Sequence, residues 1–372
     1  LQRSTGKTFT IVNVDAGSHK AKFWRWQDNA ALQLIDEKDV EPADTYHLKV
    51  IAIDGNMQYW VNGVLIANLG DHTLQKDDKG QSTVQAEGYY GLLNWNAKAT
   101  FQNTNFTVLD DKNTPAVSDV TVGSHSGDVD KKAQFFPESA TWIQYVKNNA
   151  ETVYLKADKA EDTTVTFEKD GNTYQEGEDI PVSEGINWIT MHVINGDAER
   201  TYSLDIHRFQ KDNVYYNEPY RGQYHYSVKE GWANDPNGLV YYKGKYHMFY
   251  QFYDDTKWGP MHWMHAVSTD LIHWEEEPVA LYPDVNGTMF SGCIVADETN
   301  QSRLFSTKEG GLIAFITVDG NGQRIKLAYS EDEGKTWKKV DQIAADWTND
   351  PLQDAAFRDP KVFQWEGKWF MV

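Results

Sequence analysis

The stretch DPNGLVYYKGKYHMFY (235–250) decides how this sequence is interpreted, because DPKVFQWEGKWFMV (359–372) repeats its pattern with one gap. Each copy consists of Asp-Pro, an apolar strand, a turn that contains Gly-Lys, and a second strand rich in aromatic residues. Hairpin units that recur at intervals of tens of residues are typical of β-propeller blades. Residues 217–372 would hold about three blades of roughly 40–50 residues, fewer than the about four to eight that close a ring. We therefore predict a partial β-propeller in this segment.

The repeat also places two acidic residues. Asp235 and Asp359 each precede the first strand of a predicted blade, and those strands line the central axis of a propeller. We expect both carboxylates to project into one axial pocket, although 124 positions separate them. Two simpler interpretations stay open at this point. Asp-Pro-Asn-Gly (235–238) is also a good type I turn, and Arg358 with Asp359 could form a surface ion pair of little energetic value.

Outside the repeat, short runs of alternating apolar and polar residues indicate an all-β chain. The clearest is YHLKVIAIDGNMQYWVNGVLIANL (46–69), where Asp54-Gly55 and Asn62-Gly63 are hairpin turn dipeptides. Two polar breaks, at 110–119 and 209–220, divide the chain. The predicted domains are 1–110, 119–209 and 217–372.

The composition describes a folded, acidic protein. Of its 372 residues, 40% are hydrophobic and 13% aromatic, which is enough for packed cores. A formal net charge of -20 repels phosphate backbones and anionic lipid, so nucleic acid and membrane surfaces are disfavoured as partners. The one cysteine, Cys293, excludes an intrachain disulfide. No apolar run of about 18 residues occurs, and the opening LQRSTGKTFT lacks the pattern of a signal peptide.

Two segments carry a family resemblance. GWANDPNGLVYYKGKYHMFYQF (231–252) and AFRDPKVF (356–363) resemble the leading motifs of glycoside hydrolase family 32, the family of levanases, inulinases and invertases. This resemblance spans 217–372 and implies the N-terminal part of a five-bladed propeller. Further matches follow in order at KWGPMHW (257–263), HAVSTDLIHWEEEPVAL (265–281) and FSGC (290–293).

The two upstream segments resemble β-sandwich modules. The phrases at 46–69 and 88–109 resemble a concanavalin-type jelly roll used as a sugar-binding module, entered partway through the domain. The phrases at 182–195 and 200–208 resemble a cadherin-like sandwich, for which a spacer role is expected. Four tryptophans of the first segment could stack on sugars, although packing is the better interpretation for at least three of them. They are Trp24, Trp26, Trp60 and Trp95.

The family resemblance implies a retaining mechanism, in which one carboxylate forms a covalent glycosyl intermediate and a second carboxyl group donates and then removes a proton. Asp235 would be the nucleophile that attacks the anomeric carbon of a fructosyl unit. Asp359 would stabilise the transition state through hydrogen bonds to sugar hydroxyls. No metal or other cofactor is implied. The pocket for the terminal fructose would be lined by Asn234, Gln251, Trp258, Phe290, Ser291 and Arg358.

The sequence departs from the family pattern at several points. Ala233 stands where the family often has Met, and Met264 stands where it has Gly, which would place a larger side chain near the pocket. The family's acid/base is a Glu in a Glu-Cys motif after Arg-Asp-Pro, whereas Cys293 follows a glycine. Glu366 is the only Glu beyond Asp359 and belongs to a predicted exposed turn. We therefore expect the acid/base, and the C-terminal sandwich usual in the family, beyond residue 372, and this fragment to be inactive alone.

Several other residues receive structural interpretations. The phrase YSEDEGKTW (329–337) predicts a turn built by Ser330, Asp332 and Gly334. Cys293 is expected to be a small buried residue. Glu275, Glu276 and Glu277 are interpreted as a solvated strand end. His262, His265 and His273 lack metal-ligand spacing.

The leading functional prediction is a retaining hydrolase that cleaves β-fructofuranosidic bonds in levan, inulin or sucrose, working outside the cell or at its surface. One alternative is a non-catalytic fructan-binding protein, which the missing acid/base favours. Another is a propeller hydrolase of a neighbouring type, such as an arabinanase or sialidase. Transfer of fructose to a sugar acceptor, the preferred linkage, endo or exo mode and the oligomeric state stay open.

Overall fold

The computed structural model describes residues 2–3, 9–26, 33–53, 56–62, 64–68, 89–90, 117–137, 139, 141–196, 198–256, 258–284, 286–320, 322–346 and 356–372. These residues are almost entirely β-strand and turn, with a short 3₁₀ helix at Asp212–Val214. The predicted all-β class is confirmed.

The N-terminal segment contains two antiparallel sheets. Its core is formed by apolar residues that include Phe23, Tyr59 and Ile66, all of them buried. The strands are β1 (Gln2–Arg3), β2 (Phe9–Asp15), β3 (Lys20–Trp26), β4 (Gln33–Asp39), β5 (Leu48–Ile53), β6 (Asn56–Val61), β7 (Val64–Asn68) and β8 (Tyr89–Tyr90). They are ordered β4-β3-β2-β1-β8 in one sheet and β5-β6-β7 in the other. A jelly-roll sugar-binding role for this segment stays a prediction.

The structure describes the side chains of two of the four tryptophans that the sequence analysis named. Trp60 is 3% exposed and packs edge-on against Trp188 of the next segment, with ring centroids 6.3 Å apart. Trp24 is half-buried and its Nε1 donates to Asn13 Oδ1 at 2.8 Å. Both therefore have packing roles. The Trp26 side chain and Trp95 lie outside the described part of the chain.

The middle segment is a sandwich of two sheets. Its strands are β9 (Val117–Gly123), β10 (Thr141–Val146), β11 (Thr152–Lys159), β12 (Thr163–Lys169), β13 (Asn172–Tyr174), β14 (Ile180–Pro181), β15 (Trp188–Asn195) and β16 (Ala198–Arg208). One sheet is ordered β10-β16-β15-β12-β13 and the other β14-β11-β9. Alternate residues of β12 and β15 point into the shared core, as the period-2 pattern of their sequences predicts.

The C-terminal segment forms two complete four-stranded antiparallel blades and one further hairpin. Blade 1 contains β17 (Trp232–Tyr242), β18 (Lys245–Tyr253), β19 (His262–Ser268) and β20 (Trp274–Leu281). Blade 2 contains β21 (Thr288–Asp297), β22 (Gly311–Gly320), β23 (Gly322–Ser330) and β24 (Lys338–Asp346). The hairpin contains β25 (Val362–Trp365) and β26 (Lys368–Met371). The predicted partial propeller is confirmed.

The two copies of the repeat form equivalent hairpins. Lys243 and Gly244 join β17 to β18 with φ of 48° and 83°, and Glu366 with Gly367 joins β25 to β26 with φ of 48° and 73°. Two positive φ values in a two-residue loop match the twist of an antiparallel hairpin. Glu366 is exposed in this turn, as predicted. One detail differs, because Asp235 lies within β17 rather than before it.

The turn predicted at 329–337 is also present. Asp332 Oδ1 accepts a hydrogen bond from the Ser330 hydroxyl at 2.8 Å and another from the Thr336 amide at 2.8 Å. Trp337, only 1% exposed, donates from Nε1 to the Gly334 carbonyl at 3.0 Å. The turn therefore closes over a buried indole and its residues have structural roles.

The sandwich packs directly against the propeller. One continuous hydrophobic cluster includes buried residues of both segments. The Ser139 hydroxyl donates to the Pro283 carbonyl at 2.6 Å, and the Tyr282 hydroxyl donates to the Ile143 carbonyl at 3.0 Å. Gln134 bonds both backbone groups of Trp337, at 2.6 and 3.1 Å. The sandwich and the propeller therefore share one core, and the spacer role of the sandwich stays a prediction.

The prediction of a solvated strand end on β20 holds for Glu275, which is exposed, but is wrong for Glu276 and Glu277, which are half-buried. Glu275 and Glu277 lie 2.5 and 3.2 Å from Lys131 Nζ of the sandwich. Glu276 points to the other face, where the Tyr250 hydroxyl donates to its Oε1 at 2.8 Å, and burial raises the pKa of Glu276. Alternation along the strand places neighbouring side chains on opposite faces, and both faces have partners here.

Candidate active site

The acidic motif of β17 lies in a β-bulge. Ala233 pairs with Phe252 and Pro236 pairs with Tyr250, so Asn234 and Asp235 together face the single residue Gln251 of β18. A bulge locally bends the strand and redirects its side chains. Proline at position 236 has no amide hydrogen to lose at the interrupted ladder. The sequence Asn-Asp-Pro therefore presents two adjacent polar side chains above one buried amide.

A hydrogen-bond network fixes the Asp235 carboxylate. The Ser291 hydroxyl donates to Asp235 Oδ2 at 2.5 Å, and Asn234 Nδ2 donates to Asp235 Oδ1 at 3.3 Å. Gln251 links the two donors, because its Oε1 accepts from Asn234 at 2.8 Å and its Nε2 donates to Ser291 at 3.0 Å. Gln251 and Ser291 are buried, whereas Asn234 and Asp235 are exposed. Buried amide and hydroxyl groups thus hold an accessible carboxylate in one orientation.

Blades 1 and 2 meet closely beside this network. Gly238 has φ of 56°, and a Cβ there would lie 2.7 Å from Ile294 Cδ1, so only glycine fits. The neighbouring Asn237, 3% exposed, accepts a hydrogen bond from the Gly292 amide at 3.2 Å. These contacts fix the register between β17 and β21, and with it the distance from Ser291 to Asp235.

The backbone of Asp359 is anchored to β22, the second strand of blade 2. Its amide donates to the Thr317 hydroxyl at 2.9 Å. Thr317 lies on β22 opposite the bulge of β21 that contains Ser291, since Met289 pairs with Val318 and Gly292 pairs with Ile316. One irregularity between neighbouring strands therefore positions both aspartates. The backbone of Asp359 is left-handed, with φ of 63°, which Asp tolerates better than most residues.

The two carboxylates interact electrostatically. Burial raises the pKa of Asp359, the guanidinium of Arg358 opposes this shift, and the charge of Asp235 adds to it. Arg358 Nε lies 3.5 Å from Asp359 Oδ2, and its Nη1 lies 3.4 Å from Gln323 Oε1. A carboxyl group whose pKa is raised by burial and by a second carboxylate is a recurrent feature of functional sites.

Two aromatic side chains, which the sequence predicts as a wall of the site, lie next to each other. Trp258 and Phe290 contact edge to face, with centroids 6.2 Å apart. Trp263, which is fully buried, donates from Nε1 to the Phe290 carbonyl at 2.9 Å and holds this part of the wall in place. Met264 is 4% exposed and belongs to the hydrophobic core, so its side chain is packed in the interior rather than exposed on the surface.

The predicted site residues form one hydrogen-bonded network and two pairs in the structure. Asn234, Asp235, Gln251 and Ser291 are joined by direct hydrogen bonds. The pairs Trp258–Phe290 and Arg358–Asp359 are adjacent to one another within each pair. Sequence reasoning missed the supporting residues. Thr317 and Gln323 have no motif signal, whereas Asn237 stands in the acidic motif and could have been found there.

The histidines named in the sequence occupy separate environments. His262 donates from Nδ1 to the Pro260 carbonyl at 2.8 Å, and burial lowers its pKa to about 4. His265 stacks on Phe249, with centroids 4.1 Å apart. Exposed His273 pairs with Asp270 at 2.7 Å. Cys293 is buried, as predicted, and its sulfur accepts from the Val362 amide at 3.2 Å.

Nowhere in the described ranges is a helix long and apolar enough to span a bilayer.

Comparison with known protein families finds a match for the middle segment and another for the C-terminal segment. Residues 225–372 match the family described as "Glycosyl hydrolases family 32 N-terminal domain", and residues 114–209 match "Cadherin-like beta sandwich domain". These matches confirm the predicted resemblance of the C-terminal segment to glycoside hydrolase family 32 and of the preceding segment to a cadherin-like β-sandwich.

The chain is similar to several glycosidases. It is 58% identical to a fructan β-fructosidase of Streptococcus mutans over 99% of this chain and 27% of that protein. A levanase of Bacillus subtilis is 48% identical over 43% of this chain and 24% of its own length. The crystal structure of exo-inulinase from Aspergillus awamori matches 42% of this chain and 35% of its own, with 38% identity and a TM-score of 0.37. The chain spans about a quarter of the length of the first two relatives.

Proposed function

We propose that this protein is a retaining glycoside hydrolase that cleaves β-fructofuranosidic bonds in fructans or sucrose, with Asp235 as its nucleophile. The observation that carries the proposal is the fixed, accessible Asp235 carboxylate, which Ser291 and Asn234 hold by hydrogen bonds. The names of the relatives support the substrate class, since they include fructan β-fructosidase, levanase and invertase.

The proposed chemistry follows from the positions of the two aspartates. Asp235 attacks the anomeric carbon, a carbon–oxygen bond to the enzyme forms, and the glycosidic bond breaks as an acid protonates the leaving oxygen. The hydrogen bond from Ser291 holds Oδ2 at 2.5 Å, so Oδ1, which has only the longer 3.3 Å contact from Asn234, is the oxygen directed at the sugar. Water then hydrolyses the fructosyl ester. Asp359, beside Arg358, binds sugar hydroxyls and stabilises the positive charge of the transition state.

The other predicted site residues are proposed to bind the terminal fructose. Trp258 and Phe290 supply an apolar wall for the terminal fructose, and Asn234, Gln251 and Arg358 supply polar contacts. We assign the acid/base role to no glutamate of residues 1–372, since Glu366, the one Glu after Asp359, lies in the turn of the β25–β26 hairpin. Residues 1–372 alone should therefore be inactive. Extracellular or cell-surface work is supported by relatives named extracellular exo-inulinase, and the N-terminal segment is proposed to bind the polymer.

The proposal is tested by sugar release from levan, inulin and sucrose by the intact protein. Fructose or fructo-oligosaccharides are expected as products, initially with the anomeric configuration of the substrate, which the carbon-13 NMR signal of the anomeric carbon reports. Inverted product would exclude the covalent mechanism. No release from any of the three, with levan still bound, would instead identify a fructan-binding protein, and release from arabinan alone would identify a different hydrolase.

The acid side of the pH profile is expected to depend on Arg358. Its positive charge favours the ionised form of Asp359 and so opposes the rise in the pKa of that carboxyl. In Arg358→Gln the pKa of Asp359 rises further, the carboxyl stays protonated to higher pH, and the acid limb of kcat/KM moves to higher pH. Lys338→Gln, which removes an exposed cation paired with Glu331 in blade 2, serves as the control. An acid limb that stays in place or moves down in Arg358→Gln would contradict the assignment of Asp359.

A further inference from the structure

A buried histidine of the cadherin-like sandwich contacts two carboxylates of the propeller segment. His207 lies on β16 and its side chain is 8% exposed. Its Nδ1 lies 2.8 Å from Asp254 Oδ2, and its Nε2 lies 2.7 Å from Glu230 Oε1. Burial opposes a charge on the ring, but the two carboxylates outweigh it and raise the pKa of His207 to about 11. The imidazolium therefore donates from both nitrogens at neutral pH.

The two carboxylates flank the open end of the first propeller hairpin. Glu230 lies two residues before β17 begins, and Asp254 follows the last residue of β18. At this end the strands pair through Trp232 and Tyr253. The turn of the hairpin lies at the opposite end, so His207 joins the two chain segments that the turn does not hold. We call His207, Glu230 and Asp254 the His207 clip.

The open end of this hairpin is also the end that carries the site. Asn234 and Asp235 lie within the first four residues of β17, and Gln251 lies three residues before Asp254. Trp258 follows on the connection that begins at Asp254. Movement of the strand ends would therefore displace the hydrogen-bond network around Asp235 and the aromatic wall together.

Further contacts stiffen the clip, from Tyr145 of the sandwich and from Tyr215 of the connection between the sandwich and the propeller. The Tyr145 hydroxyl donates to Asp254 Oδ1 at 2.9 Å, and the Tyr215 hydroxyl lies 3.1 Å from both oxygens of Glu230. Asp205, 1% exposed, lies beside Asp254, and burial and the charge of Asp254 raise its pKa well above the usual range. Charge-assisted hydrogen bonds are stronger in such a dry environment than in water.

A metal centre is the competing interpretation of this cluster. One ligand atom from each of Asp205, His207 and Asp254 could be chosen so that all lie within 4.8 Å of one another. A metal-bound histidine must present one bare nitrogen to the ion. Both nitrogens of His207 already face carboxylates at hydrogen-bond distance. The geometry thus favours a proton-bearing imidazolium over a metal ligand.

We propose that His207 is a positioning residue, through which the sandwich holds the open end of the β17–β18 hairpin and hence Asp235 and Gln251 in catalytic geometry. This rests on the proposed function for its catalytic consequence. The sandwich is then a working part of the hydrolase, because its β16 strand completes the support of the site. The sequence gives no hint of this, since His207 stands in a module without catalytic motifs.

The test compares His207→Gln with wild type in the intact protein, and His192→Gln serves as the matched control. His192 is another sandwich histidine beside a carboxylate, Glu168 at 3.4 Å, but its partners lie within the sandwich. We expect His207→Gln to lower kcat by about 10-fold to 100-fold, because small displacements of reacting groups have effects of this size. His192→Gln should stay within about twofold of wild type. Circular dichroism at the assay temperature confirms that each variant is folded.

A second variant covers failure of the first to fold. Glu230→Ala opens one arm of the clip while His207 keeps Asp254 as its partner, so no buried charge is left unpaired. The kcat of Glu230→Ala should also be lower than that of the wild type. Hydrogen exchange gives a readout that needs no activity: peptides covering 232–237 and 249–256 should exchange faster in both variants, and those of β22 and β23 should not.

Each outcome has a defined meaning. Unchanged kcat in a folded His207→Gln or Glu230→Ala overturns the positioning role, even if exchange is faster. Loss of wild-type activity with a chelator and its return with zinc or calcium, absent in His207→Gln, would make the cluster a metal centre and also overturn it. An inactive wild type defeats the proposed function alone, and the clip is then judged by exchange, where unchanged rates at both strand ends would refute it.

Discussion

Replacing Asp235 by alanine is expected to lower kcat for fructose release by more than about 10⁴-fold, because a covalent mechanism has no substitute for its nucleophile. The carboxylate is exposed and is reached by hydrogen bonds from Ser291 and Asn234. Its removal leaves those donors accessible to water, so the fold should be retained. Initial rates on levan and sucrose, with circular dichroism to check folding, measure the effect.

Rescue by azide separates a nucleophile from a residue that only shapes the pocket. In Asp235→Ala a small anion can occupy the space of the lost carboxylate and attack the anomeric carbon from the same side. A carbon–nitrogen bond then forms, the glycosidic bond breaks, and the product is a fructosyl azide of inverted configuration. A substrate with an activated aryl leaving group avoids dependence on the acid. Mass spectrometry and NMR identify the azide.

Asp341→Ala is the matched control, because Asp341 is an exposed aspartate on β24 of blade 2. It should retain wild-type kcat within about twofold, as surface substitutions away from a site usually do. A folded Asp235→Ala that keeps more than a tenth of wild-type kcat would remove Asp235 from the nucleophile role. Absence of azide product with a reactive aryl substrate would argue for an electrostatic role instead.

The parts of this fold that the sequence predicts are those with a local signal. The hairpins at 235–250 and 359–372 are recognisable because strand alternation, aromatic content and a Gly-Lys turn recur together. Lys243 and Glu366 adopt positive φ as the turn demands. The network around Asp235 was predictable only as a set of residues, because the motifs name its members without giving their hydrogen bonds.

The remaining features depend on contacts between distant segments. Thr317 anchors Asp359 because two strands of blade 2 share an irregular register, and no residue type announces that register. The run Glu275–Glu277 suggests a solvated strand because it is polar on both faces. In the structure Tyr250 contacts Glu276 on one face, and Lys131 contacts Glu275 on the other. Likewise the contacts of His207 arise only when sandwich and propeller pack together. Side chains that acquire their role from a partner in a distant part of the sequence leave no periodic trace.

That packing implies one cooperative unit. Trp337 of blade 2 illustrates the coupling. Its ring centroid lies 5.6 Å from that of Phe249 in blade 1, and Gln134 of the sandwich forms hydrogen bonds with its backbone. Buried residues of both segments form one hydrophobic cluster. Segments joined in this way are expected to unfold together rather than one at a time.

Trp337→Ala is therefore expected to destabilise the sandwich and the propeller together. Removing a buried indole leaves a cavity and typically costs about 3–5 kcal/mol, and Trp337 is 1% exposed. The lost hydrogen bond to the Gly334 carbonyl adds to this cost. In differential scanning calorimetry the transition that contains both segments should move down by roughly 10 °C. Trp337→Phe, which keeps a ring against Phe249, should lose less.

Tyr220→Ala is the control for this experiment, because Tyr220 is 100% exposed and its truncation creates no cavity. Its free energy of unfolding should change by less than about 0.5 kcal/mol. A calorimetric trace in which Trp337→Ala lowers one transition and leaves a separate sandwich transition in place would show that the two segments fold independently. The shared cluster would then be a docked interface between stable domains, and support of the catalytic hairpin by the sandwich would have to act through docking alone.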